Sequence, residues 1–324
     1  MKRIGKVLQH GMAALAILAC APAPAGDAYP SRPITLVVGY APGGGTDLVA
    51  RLLAEHLRDA TGQNVIVENK PGANATIAYA SVARARPDGY RLLITDSSQA
   101  IFKEVYPKLE FDPMRDLEPI GLIVDVPIGV AVSKDLHVRS LAELVQEART
   151  KPGTLNYATG GTASYIAAQS FNKVTGAKMV SVPFKGAAEA TNALVSGYVQ
   201  VMFAPLTTTS LAGNHNSGNI RVVAVSGTRR STSLPDVPSA AEAGVPGFKF
   251  SIWWGLAAPK GIPDEVLARL NAEVVSFTQK PEVRARLAEL GGAPMKTTPA
   301  QARERVAKDT GEQSALAREL GLKF

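Results

Sequence analysis

Two glycine-rich turns carry the most specific chemistry in this 324-residue sequence. The first is Tyr40-Ala41-Pro42-Gly43-Gly44-Gly45-Thr46-Asp47, placed between an apolar run and a helical pattern. Glycines let the backbone approach a ligand closely. The helix behind them offers unpaired N–H groups and a partial positive charge, which together make an anion site. The turn is not a Walker loop, because no Lys-Ser/Thr follows, and it does not read G-x-G-x-x-G. A plain tight strand-to-helix connection would look the same. Asp47 falls in the first helical turn, where a carboxylate complements the helix dipole and can cap it. The second turn, Tyr157 to Ser164, repeats the arrangement with small hydroxyls, and alone it reads as structural. Two such helix N-termini facing each other across a cleft would suit a carboxylate ligand with two ends.

The remaining reactive residues make no catalytic constellation. His56 borders an apolar helical stripe, His137 sits in a strand-to-helix turn, and His215 lies in a Gly/Asn-rich segment. None has metal-ligand spacing, and no G-x-S-x-G elbow is present. The sequence has one cysteine, Cys20, which excludes an internal disulfide and any thiolate cluster. No catalytic residues, cofactor or metal are expected. Trp253-Trp254 could line a pocket, although paired tryptophans are commonly core or interface material.

The first residues read as an export leader. Lys2, Arg3 and Lys6 precede the short apolar run Gly11 to Ala19, and Ala23-Pro24-Ala25 follows with small residues where signal peptidase reads. The apolar run is too short to span a bilayer. Cleavage after Ala25 is the simplest expectation. Lipidation at Cys20 is the rival, with Leu18-Ala19 a poor lipobox. Removing residues 1–25 lowers the net charge from +7 to +4, since the leader holds three cations and no acid. The remaining basic residues are interspersed with acids, so no stripe for nucleic acid exists. The mature chain should be exported to the periplasm.

The elements that must position the turns alternate strand and helix. Ile34–Val38, Val65–Val67 and Arg91–Thr95 read as strands, with helices over about Thr46–Ala60 and Thr76–Ala85. The middle repeats this pattern. Gly129–Val132, Asn156–Ala158, Met179–Val182, Val199–Ala204 and Ile220–Val225 read as strands, and Ala187–Ser196 reads as a helix stopped by Gly197. Ser140-Leu141-Ala142-Glu143 and Thr298-Pro299-Ala300-Gln301 have capping-box spacing. Pro263, Pro281 and Pro299 sit where first helical residues would be. Gly213 to Asn219 reads as a flexible surface turn. This is an α/β chain, long enough for two domains of roughly 150 residues.

Taken in order, several short motifs make the mature chain resemble the Bug family, the periplasmic solute-binding receptors of tripartite tricarboxylate transporters. They begin with Tyr29-Pro30-Ser31-Arg32-Pro33-Ile34 and the Pro42-to-Asp47 turn. Val67-Glu68-Asn69-Lys70-Pro71-Gly72-Ala73 and Ala85-Arg86-Pro87-Asp88-Gly89-Tyr90 follow. Val182-Pro183-Phe184-Lys185-Gly186, Leu234-Pro235-Asp236-Val237-Pro238-Ser239, Glu242-Ala243-Gly244 and Trp254-Gly255-Leu256-Ala257-Ala258-Pro259 complete the series.

The resemblance implies a two-lobed, type II periplasmic-binding fold, or Venus flytrap, each lobe a mainly parallel sheet flanked by helices. Lobe 1 would comprise residues 26–125 plus 250–324, and lobe 2 residues 126–249. It implies a small organic carboxylate held between the lobes by a monomer. Delivery would be to the membrane subunits of a tripartite tricarboxylate transporter, or the loaded protein would signal to a sensor protein. An exported α/β enzyme working at the same cleft is the rival class. Carried onto this sequence, the ligand-binding candidates in lobe 1 are Tyr40, Ala41, Gly44 and Asp47, then Ala73, Asn74 and Ala75, then Asp96, Ser97 and Ser98. In lobe 2 they are Thr159, Gly160, Thr162, Ser164 and Phe184. Asn74 and Ala78 stand where the family usually has glycine, and Tyr165 stands near its usual histidine. Asn74 should either narrow the pocket or add an amide contact.

Overall fold

The structure, a computed structural model, describes residues 29–207 and 211–322. The leader, its cleavage after Ala25 and Cys20 lie outside them. In the first lobe, β1 (Ile34–Val38), β2 (Val65–Asn69) and β3 (Arg91–Asp96) alternate with α1 (Gly45–Thr61) and α2 (Thr76–Ala83). A 3-10 segment, Ser97–Ile101, runs into α3 (Phe102–Val105), and α4 (Pro113–Asp116) leads into β4 (Leu117–Ser133). The second lobe continues with α5 (Leu141–Thr150), β5 (Asn156–Thr159), α6 (Thr162–Thr175) and β6 (Val180–Pro183). Next come α7 (Ala187–Val195), β7 (Val201–Pro205), α8 (Leu211–Asn216) and β8 (Ile220–Val225). The chain returns through β9 (Ser251–Pro259) and closes with α9 (Asp264–Gln279), α10 (Pro281–Glu289), β10 (Ala293–Pro294) and α11 (Pro299–Glu319).

One strand joins the two sheets. The first part of β4 pairs with β9 and β10, and its last part pairs with β7 and β8. The strand order is β2-β1-β3-β9-β4-β7-β5-β6. The outer strands are parallel, β1 with β2 and β3, and β5 with β6 and β7. The centre is antiparallel, because β4 carries the chain out of one lobe and the strands beside it run back. The sheets are therefore mixed rather than mainly parallel.

Pairing directions decide what faces what. Strand β9 is antiparallel to both β3 and β4, so β4 leaves the first lobe in the direction of β1 and β3. In the second lobe β7 opposes β4, and β5 is parallel to β7. The carboxyl ends of β1 and β3 therefore point at the second lobe, and those of β5 and β7 point back at the first. Crevices outside strand carboxyl ends are where open α/β sheets bind ligands.

Each sheet is packed on both faces. In β1, Ile34, Leu36 and Val38 meet Leu53 and Leu57 of α1 together with Phe277 of α9, and Val37 faces Tyr79 and Val82 of α2. All of these are almost fully buried. The second lobe centres on Tyr157, Phe171, Phe203 and Phe248. Ile166 of α6 packs with Ile101, Val105 and Leu316, which joins the second lobe to the first through α11.

Two expectations need correction. The strand seen at Gly129–Val132 is the end of the much longer β4. The segment expected as a flexible turn is largely the helix α8, anchored by buried Leu211 and by His215, whose Nδ1 accepts from Val222 N at 3.1 Å.

Candidate functional site

The first glycine-rich turn stands at the carboxyl end of β1 and is fixed from inside. Asp47 is only 2% exposed, and its carboxylate is engaged within the turn. It accepts from Gly43 N (3.0 Å), Arg51 Nε (2.9 Å) and Asn69 Nδ2 (2.9 Å). Burial works against its ionisation. The donors from Arg51, Gly43 and Asn69 outweigh that and hold the carboxyl below its ordinary range. Asp47 is thus the brace of the turn rather than a cap of the helix, since its backbone donor is Gly43, ahead of the N-cap. Asn69, at the end of β2, also donates to Tyr40 O at 3.0 Å. A Cβ on Gly45 would lie 2.8 Å from Trp254 Cη2, so the indole of β9 forms the floor under the turn.

The second candidate loop packs onto the same strand end. Ala73, Asn74 and Ala75 have φ of +45°, +49° and +70°. Three successive non-glycine residues in left-handed backbone store strain, and such strain concentrates at functional sites. A Cβ on Gly39 would come within 2.2 Å of Ala75 Cβ, so only glycine allows this loop to seat beside β1. The Asn74 amide donates to Tyr106 Oη at 2.9 Å.

The third candidate group ends β3. Asp96 is 5% exposed, and its Oδ1 accepts from Ser98 N at 2.7 Å. Tyr40 Oη and Ser98 Oγ lie 3.5 Å apart. Burial pushes the Asp96 carboxyl up, tempered by the Ser98 N–H and by the nearby Ser98 and Tyr40 hydroxyls. Burial, and then the Asp96 carboxylate, push the Tyr40 phenol up as well. Ser97 is buried beside them. Tyr40, Asp96 and Ser98 therefore form one cluster, joined to the Asp47 brace through the backbone of the turn.

In the second lobe Thr159 ends β5, with Oγ1 3.5 Å from Ser181 Oγ, and Thr159 O accepts from Phe184 N at 2.9 Å. A Cβ on Gly160 would lie 2.7 Å from backbone atoms of Ala187, so this turn presses on the start of α7. Thr162 and Ser164 occupy the first turn of α6. Phe184 packs against the core edge and Tyr198. No side-chain hydrogen bond links a lobe 1 candidate to a lobe 2 candidate among the described residues.

The helix starts share one feature. The N-caps of α1, α2, α6 and α7 are Gly44, Ala75, Gly161 and Gly186, and none has a side-chain cap. All four helices follow carboxyl ends of parallel strands. Away from the cleft, Ser140 caps α5 and Thr298 caps α11 in a full capping box, whereas α9 and α10 again start without a side-chain cap, behind Pro263 and Lys280. The first N–H groups of a helix need a partner. At the crevice that partner is left to solvent or ligand.

Sequence reasoning missed several residues that build this region. Asn69 was part of a quoted motif but not a site candidate. Trp254, which the paired tryptophans offered as a possible pocket liner but not as a site candidate, floors the turn. The Tyr79 hydroxyl holds the end of β3, accepting from Asp96 N at 2.8 Å. Tyr79 lies on α2 at helical spacing with other apolar residues, so no local signal marks it. A cavity of about 1090 Å³ lies elsewhere, beside the crossing strands, lined by Asp125, Ser226, Arg230, Lys249 and Arg305 among others. No candidate residue lines it.

Comparisons with known proteins agree with this architecture. Residues 49–322 match the model of the tripartite tricarboxylate transporter family receptor, TctC. Protein BugT of Bordetella pertussis is 33% identical over 302 residues, covering 92% of each chain. The structure of the periplasmic binding protein BugD superposes with a TM-score of 0.72 at 33% identity, covering 91% of this chain and all of that one. An R. palustris protein solved with adipate gives 0.75 at 32%, with 91% and 100% covered. MatC from Rhodopseudomonas palustris, solved with bound malate, gives 0.71 at 31%, with 89% and 100% covered. With the match spanning both lobes and the crevice between them, this chain belongs to the tripartite tricarboxylate transporter receptor family of periplasmic solute-binding proteins.

Proposed function

We propose that the protein captures a small organic carboxylate in the crevice between its lobes and delivers it to the membrane subunits of a tripartite tricarboxylate transporter. The observation that carries this is the set of four uncapped helix N-termini, those of α1, α2, α6 and α7, at the facing ends of the two sheets. Each presents unpaired N–H groups and a partial positive charge, and a carboxylate supplies the missing acceptors. The adipate and malate complexes of relatives support the ligand class. In this reading the backbone of Ala41 and Gly44, with the loop Ala73–Ala75, meets one end of the ligand. Thr159, Gly160, Thr162, Ser164 and Phe184 meet the other. Lobe 1 spans 26–125 plus 250–324 and lobe 2 spans 126–249, a division supported by the passage of β4 and β9 between the sheets. The protein works as a periplasmic monomer after loss of residues 1–25. It binds without catalysing; turnover of a bound carboxylate by purified protein would count against this.

The test is thermal shift across mono-, di- and tricarboxylates. A ligand at about 100 times its Kd adds roughly 2.7 kcal/mol of stability. At least one acid should raise the melting temperature. If none does, the carboxylate reading fails.

A further inference from the structure

We infer that the ligand carries a hydrogen-bond donor, a hydroxyl or an ammonium, beside its carboxylate, and that Asp96 is the residue that recognises it. The inference rests on the carboxylate-receptor reading above and narrows the ligand class.

Asp96 occupies the carboxyl end of β3, level with Trp254 in the neighbouring strand. One carboxyl oxygen is used, since Oδ1 accepts from Ser98 N. The other, Oδ2, is buried and has no hydrogen-bond partner. No Lys, Arg or His forms an ion pair with Asp96 among the described residues. The nearby Tyr79 hydroxyl is already committed, to Asp96 N and to Thr95 Oγ1, both at 2.8 Å. Of the other hydroxyls nearby, Tyr40 Oη and Ser98 Oγ make only a loose contact of 3.5 Å with each other, and that of Ser97 makes no hydrogen bond to Asp96 among the described residues. O–H···O bonds are ordinarily about 2.5–3.0 Å long. A buried, unpartnered carboxyl oxygen is rare and calls for an explanation.

The crevice supplies one. The uncapped helix starts at the facing strand ends attract anions, whereas Asp96 opposes them with a charge that no ion pair offsets among the described residues, unlike Asp47, which pairs with Arg51. A bare dicarboxylate would meet repulsion at this point. An acid bearing a donor next to its carboxylate meets neither penalty. Its carboxylate takes the N–H groups at the start of α1, and its donor takes Asp96 Oδ2. Tyr40 connects the two places. Its carbonyl is held by Asn69 at the start of the turn, and its hydroxyl lies 3.5 Å from that of Ser98, whose backbone N–H bonds Asp96. Because Oδ2 is buried, the Tyr40 side chain must rotate aside when the ligand binds. The opposite arrangement, a protonated Asp96 donating to a ligand carboxylate, would give no preference for a donor, and the same experiment separates the two.

Isothermal titration calorimetry on the mature protein with two matched series provides the test. Succinate, malate and aspartate differ only at one carbon, as do glutarate, 2-hydroxyglutarate and glutamate. Any other acid that the wider panel identifies is compared with its counterpart lacking the hydroxyl or amine. Within a pair, the donor-bearing acid should bind about tenfold more tightly or better, the size of one charge-assisted hydrogen bond. Asp96→Asn keeps an acceptor for Ser98 N but removes the charge. It should shrink the preference to within about threefold, with its melting temperature reported alongside. Equal or tighter binding of the plain acids, or an undiminished preference in Asp96→Asn, would overturn the inference while leaving the carboxylate reading intact. If no carboxylate binds at all, both fall together.

Discussion

The glycine-rich turn before α1 is tied at several points, whereas the turn before α6 is scarcely tied at all. In lobe 1, Asp47 takes donors from Gly43, Arg51 and Asn69, Asn69 also holds Tyr40 O, and Trp254 lies beneath Gly45. In lobe 2, Thr159 makes side-chain contacts of 3.4–3.5 Å, and Gly160 simply presses on the backbone of α7. Thr162 and Ser164 make no side-chain hydrogen bonds among the described residues. The first turn is preorganised by polar bonds. The second is shaped by close packing and has little to fix its side chains. A rigid half and an adaptable half would let one end of the ligand be read strictly and the other be accommodated.

The largest effect should come from Gly160→Val. Its side chain would enter the backbone of Gly186–Ala187, which cannot yield as a flexible side chain can. We expect a loss of about 3 kcal/mol in denaturant unfolding and loss of ligand binding. Wild-type stability would show that packing does not shape the second turn.

Gly44→Asp comes next and separates binding from folding. Gly44 has extended backbone (φ −80°, ψ 169°), and a Cβ there would have no neighbour closer than 4.0 Å. Aspartate is a good N-cap, so stability should stay level or rise by a few tenths of a kcal/mol. Its carboxylate would occupy the N–H groups that the ligand needs, and binding should vanish. Gly186→Asp is the lobe 2 counterpart, at an equally open position. It should weaken binding less; equal losses would break the proposed asymmetry.

Asp47→Ala should cost about 2 kcal/mol, because it leaves Asn69 and the Gly43 amide without their acceptor. The effect has a pH signature. A carboxyl held below its ordinary value stabilises the fold above that value, about 3.9 for aspartate. This contribution is lost as pH falls through the lower folded-state value. The melting-temperature gap between wild type and Asp47→Asn should therefore narrow below about pH 4. A gap independent of pH would deny the carboxylate its bracing role.

The smallest effect should be that of Ala73→Gly. It relieves a φ of +45° but frees the unfolded chain, so the net gain should stay within about 1 kcal/mol. Clear destabilisation, seen as a lowered melting temperature, would mean that the loop is held by more than its backbone.

Much of the fold could be read from local pattern. The span of β8 was expected to the residue, and the Thr298 box operates in both directions. Strands such as β1 are legible because burial on both faces leaves a continuous apolar run. Strand β4 is not. Glu118, Pro119, Asp125 and Pro127 interrupt it, yet Glu118 is buried between Lys260 and Arg303, and the ladder shifts register after Pro119. Those partners are more than a hundred residues away, so no local window contains them. The crevice was legible as two turns, but the inward aim of Asp47 was open. Its outcome depends on Asn69, the residue paired with Val38 across the sheet.

The join between the lobes has a mechanical consequence. Asp125 of β4 and Ser251 of β9 hydrogen-bond to each other at 2.8 Å, and Arg305 of α11 reaches both while also gripping Asp309. A ribbon only two strands wide twists cheaply about its length but resists shear, because sliding would break its ladder. With α11 riveted to that ribbon and α6 packed on α11, any movement of one half against the other must bend or twist the ribbon and slide or part the α6–α11 contact. A pair of distance labels, one on α6 and one on α11, would report whether that contact opens as the halves move.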